Sequence, residues 1–463
     1  MECNDFRADL SYTKTIVLKQ PGRHLKEKAY FRVSFTQLSS SSNNAIPKMD
    51  YTSFLSEMSK RREPSVLREL TKVVLGAPQG TISFATGMPN PSTFPFSEIK
   101  VKLKTGEEYT VKGKDLDNAL QYQPSTGYAE LREILQEFID QDHGKQDWKT
   151  RNVLISTGSN DGISRAVDML LNVGDPIIIQ HPLYSGIETL LKPYKPEYIL
   201  AEQDKDGVDP QILRETLENH KKAGKKMPKV MYLNPTGANP TGTTLTTDRR
   251  RQIYKLAQEY NLIILEDDAY YYLHFLEANP ISLLSLDTDG RVIRFDSFSK
   301  VLSSGLRLGV VTGPTQLLRQ IELHMQASTL QTSSLAQVLA FQLLNIWGTD
   351  KLKQHYKNVR AFYKERRDIM IRAAEKHLKG LAEWNVPTGG MFLWIKVHKI
   401  EDTNAMVMSR GGDKKIILVP GRCFYADPQK GSPYIRAAFS IAPKEDIDQG
   451  MARLAALIKD EQN

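Results

Sequence analysis

The sequence predicts an α/β architecture: a large domain whose mostly parallel sheet carries helices on both faces, joined to a smaller α+β domain. Three observations lead there. Short β-branched runs alternate with segments of helical periodicity through the middle of the chain, and strands separated by helix-length connections build right-handed βαβ units. After residue 335 the order changes, with long amphipathic segments first and strands behind them. At 463 residues the chain exceeds what one small core fills and suits two domains of ordinary size.

Taken in order, residues 1–48 form an N-terminal extension outside the fold. They hold eight Lys or Arg against four acids, about half of the formal net charge of +8, and end in "SSSSNNAIPK". Basic, hydroxyl-rich and acid-poor is the composition of an organellar transit peptide, although Glu2, Asp5 and Asp9 crowd the extreme terminus and Met49 offers an internal start. Mitochondrial import is the expectation, with a cytoplasmic location as the alternative. Residues 49–95 are an N-terminal arm and the start of the small domain, 96–335 the large domain and 336–463 the C-terminal small domain.

Within the large domain "STGSNDGISRAVDMLLNVGD" (156–175) predicts a glycine-containing turn and a helix with Ile163, Val167 and Leu170 on one face. "PIIIQ" (176–180), "KVMYL" (229–233), "LIIL" (262–265), "RVIRF" (291–295) and "LGVV" (308–311) predict buried strands. "TTDRRRQIYKLAQEY" (246–260) predicts a helix burying Ile253, Leu256 and Ala257, with Arg249, Arg250 and Arg251 crowding its first turn. In the small domain "LAQVLAFQLLNIW" and "VRAFYKERRDIMIRAAEKHL" predict long helices. "MFLWIKV", "IILVPG" and "YIRAAFS" come next as strands. Pro443 opens a last helix with Ile447, Met451, Leu454 and Ile458 on one side.

Composition removes several classes of function. The two cysteines, Cys3 and Cys423, stand at opposite ends of the chain, which argues against a disulfide framework. Nine scattered histidines, without H-E-x-x-H or C-x-x-C, predict no protein-built metal site. No apolar run approaches the ~18 residues that span a bilayer. The positive charge is not gathered into one stripe and no groove-reading module is evident, so no nucleic-acid partner is expected.

Ligands of an open α/β sheet bind beyond the carboxyl ends of its strands, so the residues just past each strand are informative. "KVMYL" leads into "NPTGANPTG" (234–242), "LIIL" into "EDDAYYY" and "RVIRF" into "DSFSKVLSSGLRLG". Three consecutive strands ending in reactive polar residues point to one shared site. Ser297, Ser299 and Arg307 around Lys300 suit a phosphate monoester, since short hydroxyls approach closely and a guanidinium supplies bidentate charged bonds. A lysine beside such a site can form a Schiff base with a carbonyl cofactor. The acids after "LIIL" resemble the metal-binding strand end of a P-loop ATPase, but no G-x-x-x-x-G-K-[ST] occurs. A buried carboxylate there can instead hold a ring nitrogen protonated. The helix start at Ser159 offers free N–H groups to a phosphate. In the doubled N-P-T-G, Pro at the middle position disables N-glycosylation.

Together these pieces resemble the class I, fold-type I pyridoxal-phosphate aminotransferases. The resemblance runs from about Met49 to the C-terminus. "SFSK" with "SSGLRLG", "ANPTG", "DDAY" and "YIRAAFS" come in the family's order. "GMPNPSTFPF" (87–96), "LQYQPSTGYAELR" (120–132), "HPLYSG" (181–186), "LEDDAYYYL" and "TGGMFLWIKV" are similar to its kynurenine/α-aminoadipate branch. The resemblance implies that Lys300 forms the internal aldimine with pyridoxal 5′-phosphate and shuttles the proton. It implies that Asp267 pairs with the ring nitrogen, that Tyr270 and Asn239 bond the ring's phenolic oxygen, and that Tyr184 stacks on the ring. Ser159, Asn160, Ser297, Ser299 and Arg307 would hold the phosphate, joined by Tyr122 of a second subunit in a homodimer. Arg436 would clamp the substrate α-carboxylate, with Gly87 and Arg68 near the substrate side chain and Tyr184 and Asn239 also facing the substrate. The copy of N-P-T-G beginning at Asn239 is the one that matches; the Asn234 copy is read as a loop with no catalytic role. Asn160 stands where close relatives carry Gln, and Ala269 where some carry Pro.

The implied activity is ping-pong transamination of amino acids such as kynurenine and 2-aminoadipate, with 2-oxoglutarate as acceptor. A broad aromatic aminotransferase or a cysteine-conjugate β-lyase would use the same constellation. An aminotransferase-like transcription regulator is the non-enzyme alternative, but the extension is short and lacks two clear helices.

Overall fold

A computed structural model describes residues 49–462; the expected N-terminal extension lies outside the described residues. Strands β1 (Ile99–Lys102) and β2 (Glu108–Val111) form an antiparallel hairpin. The main sheet contains β3 (Arg151–Thr157), β4 (Pro176–His181), β5 (Glu197–Asp204), β6 (Gly207–Val208), β7 (Val230–Leu233), β8 (Ile263–Asp267), β9 (Val292–Ser297) and β10 (Leu308–Pro314). Their order is β3-β10-β9-β8-β7-β4-β5-β6. From β9 across to β5 all neighbours are parallel. Each crossover carries a helix, such as Thr247–Glu259 between β7 and β8. With both faces covered, β7 and β8 are buried along their whole length, which is why they read as continuous apolar runs rather than alternating ones.

Strand β10 is antiparallel to both β3 and β9. Only residues 298–307 join β9 to β10, too few for a crossover helix, so the chain must return beside β9 in the opposite sense. The expected strands fall at β4, β7, β8, β9 and β10. The sequence pattern does not single out β3 and β5, because "RNVLIST" and "EYILAEQD" mix polar residues into their apolar runs.

A second antiparallel sheet, β11 (Ala382–Trp384), β12 (Phe392–Val397), β13 (Val419–Pro420) and β14 (Tyr434–Ala438), has the order β11-β12-β14-β13. The last helix, Lys444–Gln462, buries Ile447, Met451, Leu454 and Ile458. The two expected long helices form one element, Ser334–Leu378, interrupted at Gly348 (φ 58°, ψ −174°). Its residues from Val338 to Tyr356 belong to the core around the main sheet, and those from Met370 to Leu378 to the core around the second sheet. Among the described residues no helix is long and apolar enough to cross a membrane.

Candidate active site

Strands β7, β8 and β9 are neighbours, so the three polar strand ends meet at one edge of the sheet. Asp267 closes β8 and is buried. Its Oδ2 accepts a 2.6 Å hydrogen bond from the Tyr232 hydroxyl of β7. Its Oδ1 is buried without a partner. Burial, reinforced by the charges of Asp268 and Asp296 and opposed by the Tyr232 bond and Lys300, raises the Asp267 carboxyl to about 6. An unsatisfied oxygen on a carboxyl short of counter-charge is a receptor for a cationic N–H.

Lys300 ends a short 3-10 turn, Phe298–Lys300, capped by Ser297, whose Oγ accepts from the Ser299 N–H at 3.2 Å. The Lys300 Nζ stands 5.9 Å from the ring centre of the buried Tyr270. Burial, and after it the charge of Arg307, pushes the Lys300 amine below its ordinary value. A lowered amine pKa raises the fraction of neutral, nucleophilic lysine.

Arg307 adopts the left-handed conformation (φ 51°). Its Nη1 donates to Ser299 Oγ at 3.2 Å and to the Ser304 carbonyl at 3.2 Å. The guanidinium lies against Gly158 (φ 80°), where a Cβ would collide with it, and a Cβ on Gly309 would collide with the Gly158–Ser159 peptide. These two glycines let the first turn of the helix Ser159–Leu170 sit beside Arg307. Free amides of Ser159 and Asn160, a guanidinium and the Ser299 hydroxyl thus converge on one spot, the donor set of a phosphate site.

Arg436 lies on β14. Its Nη1 donates to Asn239 Oδ1 at 2.9 Å, and its guanidinium carbon stands 4.4 Å and 4.9 Å from the ring centres of Phe392 and Phe424. Tyr184 folds its ring over Gly186, where any Cβ would strike it. Burial raises its hydroxyl pKa, and the fields of Asp267, Arg436 and Arg307 all reach it.

The structure therefore brings together Lys300, Asp267, Tyr270, Tyr184, Asn239, Arg436, Ser159, Asn160, Ser297, Ser299 and Arg307. Three expected residues stand apart within this chain. Arg68, on the helix Val66–Leu75, is buried and bonded to Ser125 Oγ at 3.2 Å and to the Gln123 carbonyl. Gly87 has nothing within 4 Å of the place a side chain would begin. Tyr122 is exposed. Sequence reasoning missed Tyr232, Phe392 and Phe424. The signal for Tyr232 was a single polar tip inside an apolar strand; the two phenylalanines come from separate segments that only the fold unites.

This donor set fits a phosphorylated pyridine aldehyde. The orphaned Asp267 oxygen could accept from a ring N–H, the spot beside Gly158 and Arg307 could hold the phosphate, and the Lys300 amine could meet the aldehyde. The comparisons agree. The family model for aminotransferase class I and II matches residues 90–454. The kynurenine/alpha-aminoadipate aminotransferase, mitochondrial, of Bos taurus is 41% identical, over 89% of this chain and 100% of its own length. Among solved structures, the Pyrococcus horikoshii kynurenine aminotransferase in complex with PMP has a TM-score of 0.72 at 33% identity, covering 89% of this chain and 99% of its own. The alpha-aminoadipate aminotransferase LysN of Thermus thermophilus, complexed with N-(5′-phosphopyridoxyl)-L-leucine, has a TM-score of 0.67 at 27% identity, covering 89% and 99%. The chain belongs to the class I and II aminotransferases, and it is a pyridoxal-phosphate-dependent transaminase of amino and oxo acids with the type I fold.

Proposed function

We propose that the chain moves the amino group of kynurenine and 2-aminoadipate onto 2-oxoglutarate by a ping-pong mechanism, one oxo acid leaving before the other binds. Support for the donors comes from the relatives' names and for the chemistry from the site. The observation that carries the reading is the buried, unpartnered Oδ1 of Asp267 on the same sheet edge as the Lys300 amine. When bound, pyridoxal phosphate supplies an aldehyde for the amine and an electron-withdrawing ring that acidifies the substrate Cα–H.

The protein's residues supply the rest. Asp267 holds the ring nitrogen protonated, and Tyr232 keeps the carboxylate aimed by occupying its other oxygen. Tyr270 and Asn239 donate to the phenolic oxygen, and Tyr184 covers the ring face. Ser159, Asn160, Ser297, Ser299 and Arg307 hold the phosphate. Arg436 receives the substrate α-carboxylate between Phe392 and Phe424, which exclude water and strengthen the pairing. Lys300, its amine pKa lowered by burial and by the charge of Arg307, would remove the Cα proton and return it to the former aldehyde carbon on the other side of the nitrogen. Holding both ends fixes the labile C–H relative to that base.

We further propose a homodimer in which Tyr122 of the second copy completes the phosphate cup, and Arg68 and Gly87 reach the substrate side chain. In this reading 49–95 form the arm and the start of the small domain, 96–335 the large domain and 336–463 the small one, with the part of the helix Ser334–Leu378 from Val338 to Tyr356 packed into the core of the large domain. Residues 1–48 would direct the protein to mitochondria.

Replacing Lys300 by Ala should abolish the visible band of the bound cofactor and lower turnover at least about 10³-fold. Turnover at the wild-type level would overturn the assignment. Product analysis with kynurenine, 2-aminoadipate, phenylalanine and a cysteine S-conjugate, each with 2-oxoglutarate, separates the proposed donors from an aromatic aminotransferase or a β-lyase.

A further inference from the structure

The first copy of N-P-T-G has no part in the mechanism above, yet its asparagine is built into the site. Asn234 comes directly after β7 and is 4% exposed. Its Nδ2 donates to the backbone carbonyl of Asp267 at 2.7 Å. Its Oδ1 accepts from the backbone N–H of Asn239 at 2.8 Å. Its own N–H donates to Gln180 Oε1 at 2.9 Å. The orientation of the amide is dictated from both sides, because a carbonyl requires a donor and an N–H requires an acceptor.

The reason for an amide at this place lies in the strand ladder. Strands β7 and β8 pair up to Leu233 and Glu266. β7 cannot extend the pairing, since Pro235 has no N–H to offer. The Asn234 side chain supplies the donor that the backbone lacks. The turn that presents it is fixed independently: Arg250 Nη2 donates to the Pro235 carbonyl at 3.0 Å and to Thr236 Oγ1 at 2.9 Å. Gly237 (φ 54°) packs so closely on Gly389 and Gly390 that a Cβ would collide.

We propose that Asn234 is a positioning residue that sets the separation of Asp267 from Asn239, and so matches the two side chains to the fixed distance between the ring nitrogen and the ring oxygen edge; this rests on the pyridoxal-phosphate reading above. Asp267 closes β8 and Asn239 sits in the loop after β7, so the two would meet the ring from separate elements, and Asn239 also accepts from Arg436. One buried amide ties both to a common frame. A loop that only reversed the chain would need the proline and glycine, but not a side chain bonded to two residues of the site.

The test uses the full-length protein with its cofactor removed and added back. In Asn234→Ala both bonds are lost; the dissociation constant for pyridoxal phosphate, from absorbance titration, should rise about tenfold. The pH midpoint of the bound cofactor's visible band should also move upward, because the phenolic oxygen loses a fixed donor. In Asn234→Asp the protonated carboxyl still offers a donor and an acceptor, so affinity should approach the wild type at low pH and weaken as pH rises. A lowered melting temperature with unchanged affinity and unchanged midpoint, in either variant that folds, overturns the proposal. Lys300→Ala run alongside separates the two readings: if it kept the visible band, the cofactor reading itself would fall.

Discussion

Asp267 shows how one residue serves two opposed demands. Without the cofactor its carboxyl titrates near 6 rather than at 3.8, chiefly because it is buried. A group whose folded pKa is raised contributes stability that is present below the unfolded value and lost as pH rises through the folded one. The cofactor-free chain should therefore lose stability between about pH 4 and pH 6, by up to about 3 kcal/mol from this group. Asp267→Asn keeps the shape and the acceptor for Tyr232 but cannot ionise. In the cofactor-free state the variant should be more stable than the wild type at pH 8, with the difference vanishing below pH 4. In the loaded enzyme the sign should reverse: if Asp267 pairs with the ring nitrogen as proposed, its neutral replacement should leave that nitrogen unprotonated and lower turnover by orders of magnitude. Urea denaturation of the cofactor-free pair at pH 4, 6 and 8 measures the first effect, and steady-state rates measure the second. A variant no more stable than the wild type at pH 8 would contradict the burial argument.

At the scale of elements, "DRRRQ" shows where sequence stops being informative. Three consecutive arginines at a helix start look alike, and periodicity correctly predicts the helix and its buried Ile253, Leu256 and Ala257. Only the fold separates the three. Arg249 pairs with Asp204 and Asp209 at the surface, and Arg251 bonds Asp248 one turn away. Arg250 is wholly buried, with Nε on the Leu245 carbonyl at 2.9 Å and Nη1 at 3.7 Å from Glu266. There it joins Arg294, whose Nη1 stands 2.9 Å from Asp268 and 3.2 Å from Glu266. The acids beside Asp267 are thus met by Arg294 of β9 and by Arg250 of the helix, and Glu266 also accepts from the Leu283 and Leu284 N–H groups. Arg250→Met should cost about 3–5 kcal/mol, the penalty for stranding buried charges, and should loosen the Asn234 turn. Arg251→Met should stay within about 0.5 kcal/mol, as expected of an exposed pair. Chemical denaturation compares the two directly; equal effects would mean that the buried network carries no weight. Long apolar strands, a Pro-opened helix and the motif residues at strand ends were legible because each leaves a local pattern. The antiparallel turn of β10 and the depth of Arg250 were not, because they depend on which segments become neighbours.

The whole molecule raises the question of what one chain leaves unfinished. Arg307, Ser299 and the helix start at Ser159 face a common spot, while Tyr122, exposed in the same chain, takes no part. The N-terminal arm leaves Val66, Leu67, Ile82 and Phe84 exposed, Phe84 at 97%. Exposed apolar side chains grouped on one arm suit contact with a second copy, and in the homodimer proposed above that copy would supply its Tyr122 to the phosphate site. The role proposed for Tyr122 rests on motif resemblance alone, since nothing local says that a tyrosine will act across a subunit boundary. Hybrid dimers distinguish a shared site from two self-contained ones. A Lys300→Ala subunit paired with a Tyr122→Ala subunit has one pocket lacking both groups and one with both intact, if the tyrosine crosses the interface. Random pairing makes half of all dimers hybrids, so co-expression in equal amounts should restore about a quarter of wild-type activity in a two-fold symmetric dimer. The assay is run at a cofactor concentration low enough to leave Tyr122→Ala homodimers largely empty. If the tyrosine served its own chain, a hybrid would hold one pocket without the lysine and one without the tyrosine. Activity would then stay at the average of the two parent homodimers.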